Sequence, residues 1–255
     1  MILLRSCLSL GAALAIAGST QAAVVTTNLI GEYSFETGDA TDSVGLIGNS
    51  SSVGTPTFVT DLDRTGTTVL SVSQGNYINI AANANVPEGA EARTYAIFFK
   101  TTVRGNDGSP FRSGSPGTTG GDFSVELNGT APGMTLNRWF DDLSFNLVDA
   151  DSVWQHVAVS HDGSTMRAYV NGSLAGSRTV AINTGNNGFR FGGPRIGRTD
   201  GGIGSFLIDD VLIYDRALTL GEIGQLAAAN PIPEPSTFAM IGLAGMGLIL
   251  RRRRH

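Results

Sequence analysis

Short apolar-rich strand signals, separated by polar turn residues, recur along most of this 255-residue chain. The runs recur at intervals of roughly ten residues with turn residues between them, which predicts packed sheets rather than alternating strands and helices. Asn28–Phe35 opens the series, with Ile30, Tyr33 and Phe35 as core residues. Thr57–Val59, Val69–Val72 and Tyr77–Ile80 are short strands, and Tyr95–Thr102 is a longer one. Phe123–Leu127, Met134–Leu136 and Leu143–Leu147 follow. In Trp154–Ser160, Trp154, His156 and Ala158 face one way and Gln155, Val157 and Val159 the other. Met166–Val170 is its neighbour across Asp162-Gly163, and Asn171-Gly172 predicts a tight hairpin, because both positions of a type I′ turn need positive φ. Leu174–Val180, Phe189–Ile196 and Phe206–Tyr214 complete the sheet material. Ser50–Thr57 and Gly114–Gly121 read as the loosest stretches. One soluble helix is expected: Thr219-Leu220-Gly221-Glu222 is a capping box, Ile223, Leu226 and Ala227 form an apolar stripe, and Pro231 ends it.

The two ends follow a different pattern. Met1–Arg5 carries one positive charge, Leu8–Gly18 is apolar, and Thr20-Gln21-Ala22 supplies small residues for signal peptidase; residues 1–22 read as a secretory signal peptide. Cys7 precedes the peptidase positions rather than following them, which argues against lipidation. At the other end Pro231-Ile232-Pro233-Glu234-Pro235 forms an extended, accessible strip. An uncharged segment, Phe238–Leu250, comes next, then Arg251-Arg252-Arg253-Arg254-His255. The apolar segment spans only about 20 Å as a helix, but the arginines favour a cytoplasmic stop and mark it as a transmembrane helix. The ordered Pro233-Glu234-Pro235, apolar segment and Arg251–Arg254 cluster resemble the PEP-CTERM sorting signal of Gram-negative bacteria. That resemblance implies an exosortase as processing enzyme, a transient inner-membrane anchor, and delivery to the cell surface or extracellular matrix.

Composition narrows the rest. Residues 23–230 suffice for one all-β domain. With the five arginines of the two ends set aside, 17 basic residues become 12 against 22 acidic, which disfavours nucleic acid as a partner. Cys7 is the only cysteine, so the exported chain has no disulfide. Glycine, at 34 residues, fits many tight turns.

Three further segments carry a second resemblance. Trp154–Val159 with Ala168–Gly172, Ile208–Thr219 with Glu222-Ile223, and Tyr33–Glu36 near Asp42–Gly45 are similar to strands of the laminin-G-like, concanavalin A-like jelly roll. The fold implied is a two-sheet antiparallel sandwich with one short C-terminal helix.

Candidate chemistry is sparse. A retaining glycosidase needs two carboxylates about 5–5.5 Å apart, and no strand carries that pattern. Glu32 and Glu36 have suitable face spacing but bracket a peripheral strand, and the neighbours Asp141-Asp142 and Asp209-Asp210 should point to opposite faces. His156 reads as a core histidine with its hydrogen bonds satisfied, and Trp154 as core. Trp139, beside Arg138 and the Asp141-Asp142 pair, is the candidate sugar platform. Folds of the resembled class often hold a structural Ca²⁺; here Glu32, Asp42 and Asp209 are the carboxylates that could contribute. The expectation is a non-catalytic surface or matrix protein, glycan binding or structural. A protein–protein adhesin and an atypical glycosidase are the alternatives.

Overall fold

The computed structural model describes residues 25–229 except positions 49, 65–66, 106–107, 115–116, 118, 129, 138–139, 149–150, 186 and 195–203. The expected signal peptide, the Pro-Glu-Pro strip, the Phe238–Leu250 segment and the arginine cluster therefore lie outside the described residues. Among the described residues, no helix is long and apolar enough to cross a membrane.

Fifteen strands and one helix are described: β1 (Leu29–Tyr33), β2 (Ser50–Val53), β3 (Thr57–Asp61), β4 (Thr67–Val72), β5 (Tyr77–Ile80), β6 (Arg93–Val103), β7 (Phe111–Ser113), β8 (Ser124–Leu127), β9 (Gly133–Asn137), β10 (Leu143–Asn146), β11 (Gln155–His161), β12 (Thr165–Val170), β13 (Ser173–Thr179), β14 (Phe189–Phe191), β15 (Ser205–Tyr214) and α1 (Leu220–Ala229), with a 3-10 turn at Leu62–Arg64. They form a jelly-roll-like sandwich of two antiparallel sheets. One has the order β13-β12-β11-β6-β15-β4-β3, with β1 also on β15; the other runs β10-β9-β8-β7-β14-β5-β2.

The expected alternation holds. Val157 and Val159 enter the core between the sheets, while Trp154 and Ala158 belong to separate clusters on the outer face of the eight-stranded sheet. Asn171 and Gly172 both have positive φ, 47° and 81°, as a type I′ hairpin requires. At α1 the Thr219 Oγ1 accepts from the Glu222 N–H at 3.3 Å, and Glu222 Oε2 accepts from the Thr219 N–H at 2.8 Å. The capping box is formed.

Differences have local causes. Ser50–Val53, expected as loop, is a strand because its backbone pairs with β5 from Ser50↔Ile80 to Val53↔Tyr77; serines at an edge leave no apolar alternation. The strand expected to reach Ile196 ends at Phe191, where Gly192 and Gly193 turn with φ of 78° and 75°. A Cβ at Gly192 would come within 2.7 Å of Val72.

The outer face of the eight-stranded sheet has two covers. Helix α1 lays Ile223 and Leu226 over Ala96, Ala158, Tyr169 and Tyr214. Arg64, from the 3-10 turn, lies over Phe98 and Trp154, its guanidinium 4.1 and 5.4 Å from their ring centroids. β15 exchanges β4 for β1 along one edge, and its register with β6 slips between Asp209 and Leu212. Asp210, with φ of 44°, occupies this bulge. A bulge re-aims side chains, and the Arg64 Nη2 meets Asp209 at 2.9 Å and Asp210 at 2.6 Å. The two carboxylates converge on one cation instead of pointing to opposite faces.

Candidate functional site

Because Ile78, Phe189, Phe111, Val125, Leu136 and Phe145 fill the core, the alternate positions of the seven-stranded sheet face outward. The register sets Asn79, Arg190 and Arg112 side by side on β5, β14 and β7, and Glu126, Thr135 and Ser144 on β8, β9 and β10. Arg190 lies 5.1 Å from the Tyr77 ring centroid and donates from Nε to Asn79 Oδ1 at 3.2 Å. Arg112 is buried, pairs with Glu126 and donates from Nε to Gly193 O at 3.1 Å. Thr135 Oγ1 donates to Asn128 Oδ1 at 2.6 Å. Hydroxyls, amides and guanidinium planes thus cross one face.

The loop from β9 to β10 rises at the edge of this face. Trp139 and Arg138, the expected platform, lie outside the described residues. Their neighbour Phe140 is 80% exposed and has φ of 86°. Asp141 and Asp142 hold the loop to the neighbouring sheet. Asp141 Oδ1 pairs with Arg178 Nη2 at 2.8 Å, and the Asp142 carbonyl accepts from Arg178 Nη1 at 2.8 Å. Arg178 belongs to β13 of the opposite sheet, so this clamp ties the loop across the sandwich edge and presents Phe140. The aromatic pair in a polar stretch was the available sequence signal; only the backbone shows that Phe140 is displayed.

The expected calcium carboxylates do not form a metal site. Asp42 accepts four backbone N–H groups, from Glu32 and Val44 on Oδ1 at 3.0 and 3.1 Å, and from Ile47 and Gly48 on Oδ2 at 2.9 and 3.3 Å. A carboxylate has about four lone-pair positions, so Asp42 is committed to folding its own loop. Asp209 is 1% exposed and accepts from Arg64 through Oδ2 and from the Asp210 N–H through Oδ1. Glu32 accepts from Ser43 Oγ. Among the described residues no group of three or more His, Cys, Asp or Glu side chains could hold a metal ion. These residues do not fit a shared Ca²⁺.

On the outer face of the seven-stranded sheet the described carboxylates are Asp122 and Glu126. Glu126 is held by Arg112, and Asp122 accepts from Ser124 Oγ. His161 Nε2 contacts Val180 O at 3.2 Å, and its Nδ1 accepts from the Gly163 N–H. His156 departs from expectation: its backbone groups bond with Asn171, but its buried Nδ1 has no partner.

A polar strip with an aromatic edge on a two-sheet antiparallel jelly roll defines a lectin-like sandwich. Residues 72–224 match the sequence profile of the laminin G family described as the concanavalin A-like lectin/glucanases superfamily, and the chain belongs to that family. Residues 231–254 match the PEP-CTERM protein-sorting motif. Comparison with the curated proteins finds no match. Among solved structures, the chain is similar to domain 4 of AbnA, a GH43 extracellular arabinanase from Geobacillus stearothermophilus, in complex with arabinotriose. That likeness has a TM-score of 0.63 and 20% identity, and covers 78% of this chain and 98% of that one. It is also similar to the binding domain of Paraclostridial Mosquitocidal Protein 1, with a TM-score of 0.60, 15% identity and coverage of 79% and 52%. The botulinum neurotoxin serotype G binding domain gives 0.59, 18%, and coverage of 78% and 50%. The chain spans about half the length of those toxin binding domains. At such identities the likeness is one of fold. The family and the sorting motif together mark an exported lectin-like or binding protein, with passage through the membrane of a Gram-negative bacterium and processing by an exosortase.

Proposed function

We propose that this protein is a non-catalytic glycan-binding component of the cell surface or extracellular matrix. Its signal peptide is removed after Ala22, the C-terminal helix anchors it transiently in the inner membrane, and cleavage at the Pro-Glu-Pro strip releases it to its destination. The observation that carries the reading is Phe140, exposed on a loop clamped by Arg178 at the edge of the strip bearing Thr135, Ser144 and Asn146. Sugar rings offer C–H faces to an aromatic and hydroxyl rims to amides and hydroxyls. The strongly acidic balance of the domain favours neutral over polyanionic polysaccharide. The arabinotriose complex of the AbnA domain supports an oligosaccharide as ligand for this fold.

Retention of residues 23–230 on neutral polysaccharides and glycan arrays tests the reading. Trp139→Ala and Phe140→Ala should each weaken binding by about tenfold or more, and Phe140→Ala should do so without lowering the melting temperature, because Phe140 is exposed. Binding unaffected by both substitutions would move the site elsewhere. Binding to surface proteins but to no glycan would favour the adhesin, and turnover of the polysaccharide would favour the glycosidase.

A further inference from the structure

Between α1 and the outer face of β6 and β11 lies a cavity of about 310 Å³, lined by Phe98, His156, the Asn171-Gly172 turn, Ser173 and the helix residues Gly224, Ala227 and Ala228. Its shape follows from small residues. A Cβ on Gly172 would stand 3.2 Å from Gly224 Cα and 3.3 Å from Ala227 Cβ, so turn and helix touch there. A Cβ on Gly224 would meet nothing within 4 Å, so a side chain has room there.

Its polar groups are neutral and spare. His156 is 2% exposed and its Nδ1 finds no partner in the protein. Burial, with the Arg64 charge nearby, pushes its pKa down to about 3, so the ring is uncharged near neutrality. Asn171 spends its Oδ1 on the His156 N–H at 2.8 Å, which leaves its amide nitrogen as a donor at the rim beside Ser173. The Phe98 ring, 4.8 Å from the imidazole centroid, and Ala227 supply apolar wall. A larger cavity of about 490 Å³ beside Asn85 and Glu91 lacks such a group. There Asn85 donates to Leu46 O and Glu91 accepts from the Glu88 N–H.

We propose that the crevice between α1 and the outer face of β6 and β11 binds one neutral sugar ring, with His156 Nδ1, Asn171 and Ser173 meeting its hydroxyls and Phe98, Ala227 and Ala228 its C–H face. The volume is at the lower end of ligand pockets and suits a single ring, either a free monosaccharide or the terminal unit of a chain. An unpartnered buried imidazole nitrogen costs stability, and a bound hydroxyl removes that cost. The crevice is on the opposite sheet from Phe140 and does not depend on glycan binding there.

The chain has three histidines, His156, His161 and His255, so ¹⁵N-histidine labelling of the full chain in detergent micelles gives three resolvable rings. Titration with free glucose, galactose and arabinose, and with linear oligosaccharides of each, should move the His156 ring nitrogens while His161 stays. A response to monosaccharide identifies a free sugar as the ligand; a response to oligosaccharide alone identifies a chain end. Gly224→Leu and, separately, Ala228→Leu fill the crevice and keep His156. Each should weaken the response by about tenfold or more, with melting temperatures confirming that the variants fold. Gly224→Leu also gains helix propensity. Phe140→Ala should leave the response intact, which separates failure here from failure of the polysaccharide surface. No shift of His156 with any sugar would overturn the proposal, as would an undiminished shift in both filled variants.

Discussion

Replacing Arg64 by Met isolates a buried contact of one cation with two carboxylates. Arg64 and Asp209 have side chains only 3% and 1% exposed, and Asp210 is 22% exposed. One guanidinium faces two carboxylates at a largely buried position. Burial, followed by the charge of Asp210, raises the pKa of Asp209; burial also raises that of Asp210, with Glu36 and Glu32 adding to the rise. Removing Arg64 leaves both acids without their cation, and losing one partner of a buried pair costs about 3–5 kcal/mol. Methionine keeps some packing on Phe98 and Trp154, which favours the lower figure. For a domain near 200 residues each kcal/mol shifts the melt by about 2–4 °C, so a fall of roughly 10 °C is expected near neutral pH. The pH dependence has a fixed sign. With raised folded pKa values, the folded state holds more protons than the unfolded chain from about pH 4 upward toward neutrality. Stability from this cluster is therefore complete below that window and is lost as pH rises through it. In Arg64→Met the loss should be larger at about pH 7.5 than at about pH 5, where protons replace the missing cation. Thermal unfolding of residues 23–230, followed by circular dichroism at both pH values, measures it. A variant melting with the wild type at the higher pH, or losing more at the lower, would refute the assignment.

Asp42→Ala should destabilise by about 3 kcal/mol or more, because four backbone donors lose their acceptor. The melt of the wild type should not change on adding Ca²⁺ or chelator, and Asp209→Asn should destabilise equally with or without Ca²⁺; a chelator-dependent melt that Asp209→Asn abolishes would restore the calcium site. Thr219→Ala should cost about 1 kcal/mol through loss of the cap on α1, read as a lower denaturant midpoint with an unchanged slope. Deleting residues 231–255 in the native host should shift the protein away from its surface destination, and mass spectrometry of the mature form should find no Arg251–Arg254; intact Arg-terminated protein as the sole mature species would count against processing.

What the sequence determined by itself was local. A period of two names the core face of β11 because adjacent side chains of a strand must point oppositely. Asn171-Gly172 names its turn because few residues accept positive φ, and Thr219 with Glu222 names a helix start because both partners lie within one turn. The sorting tag is likewise a linear signal, read before or apart from folding. Contacts between distant residues were decided by the tertiary structure. Asp209 and Asp210 obey the alternation rule in sequence, yet a bulge at the change of partner from β4 to β1 turns both toward Arg64, 145 positions away from Asp209. Asp42 looked like a metal ligand because acid near the first strand suits one, but the loop folded four donors onto it. Edge strand β2 left no hydrophobic trace because backbone pairing and serine hydroxyl bonds hold it. His156 sits at an apolar-strand position in any reading of the sequence. That its Nδ1 is buried without a partner depends on packing between distant residues that no local pattern encodes.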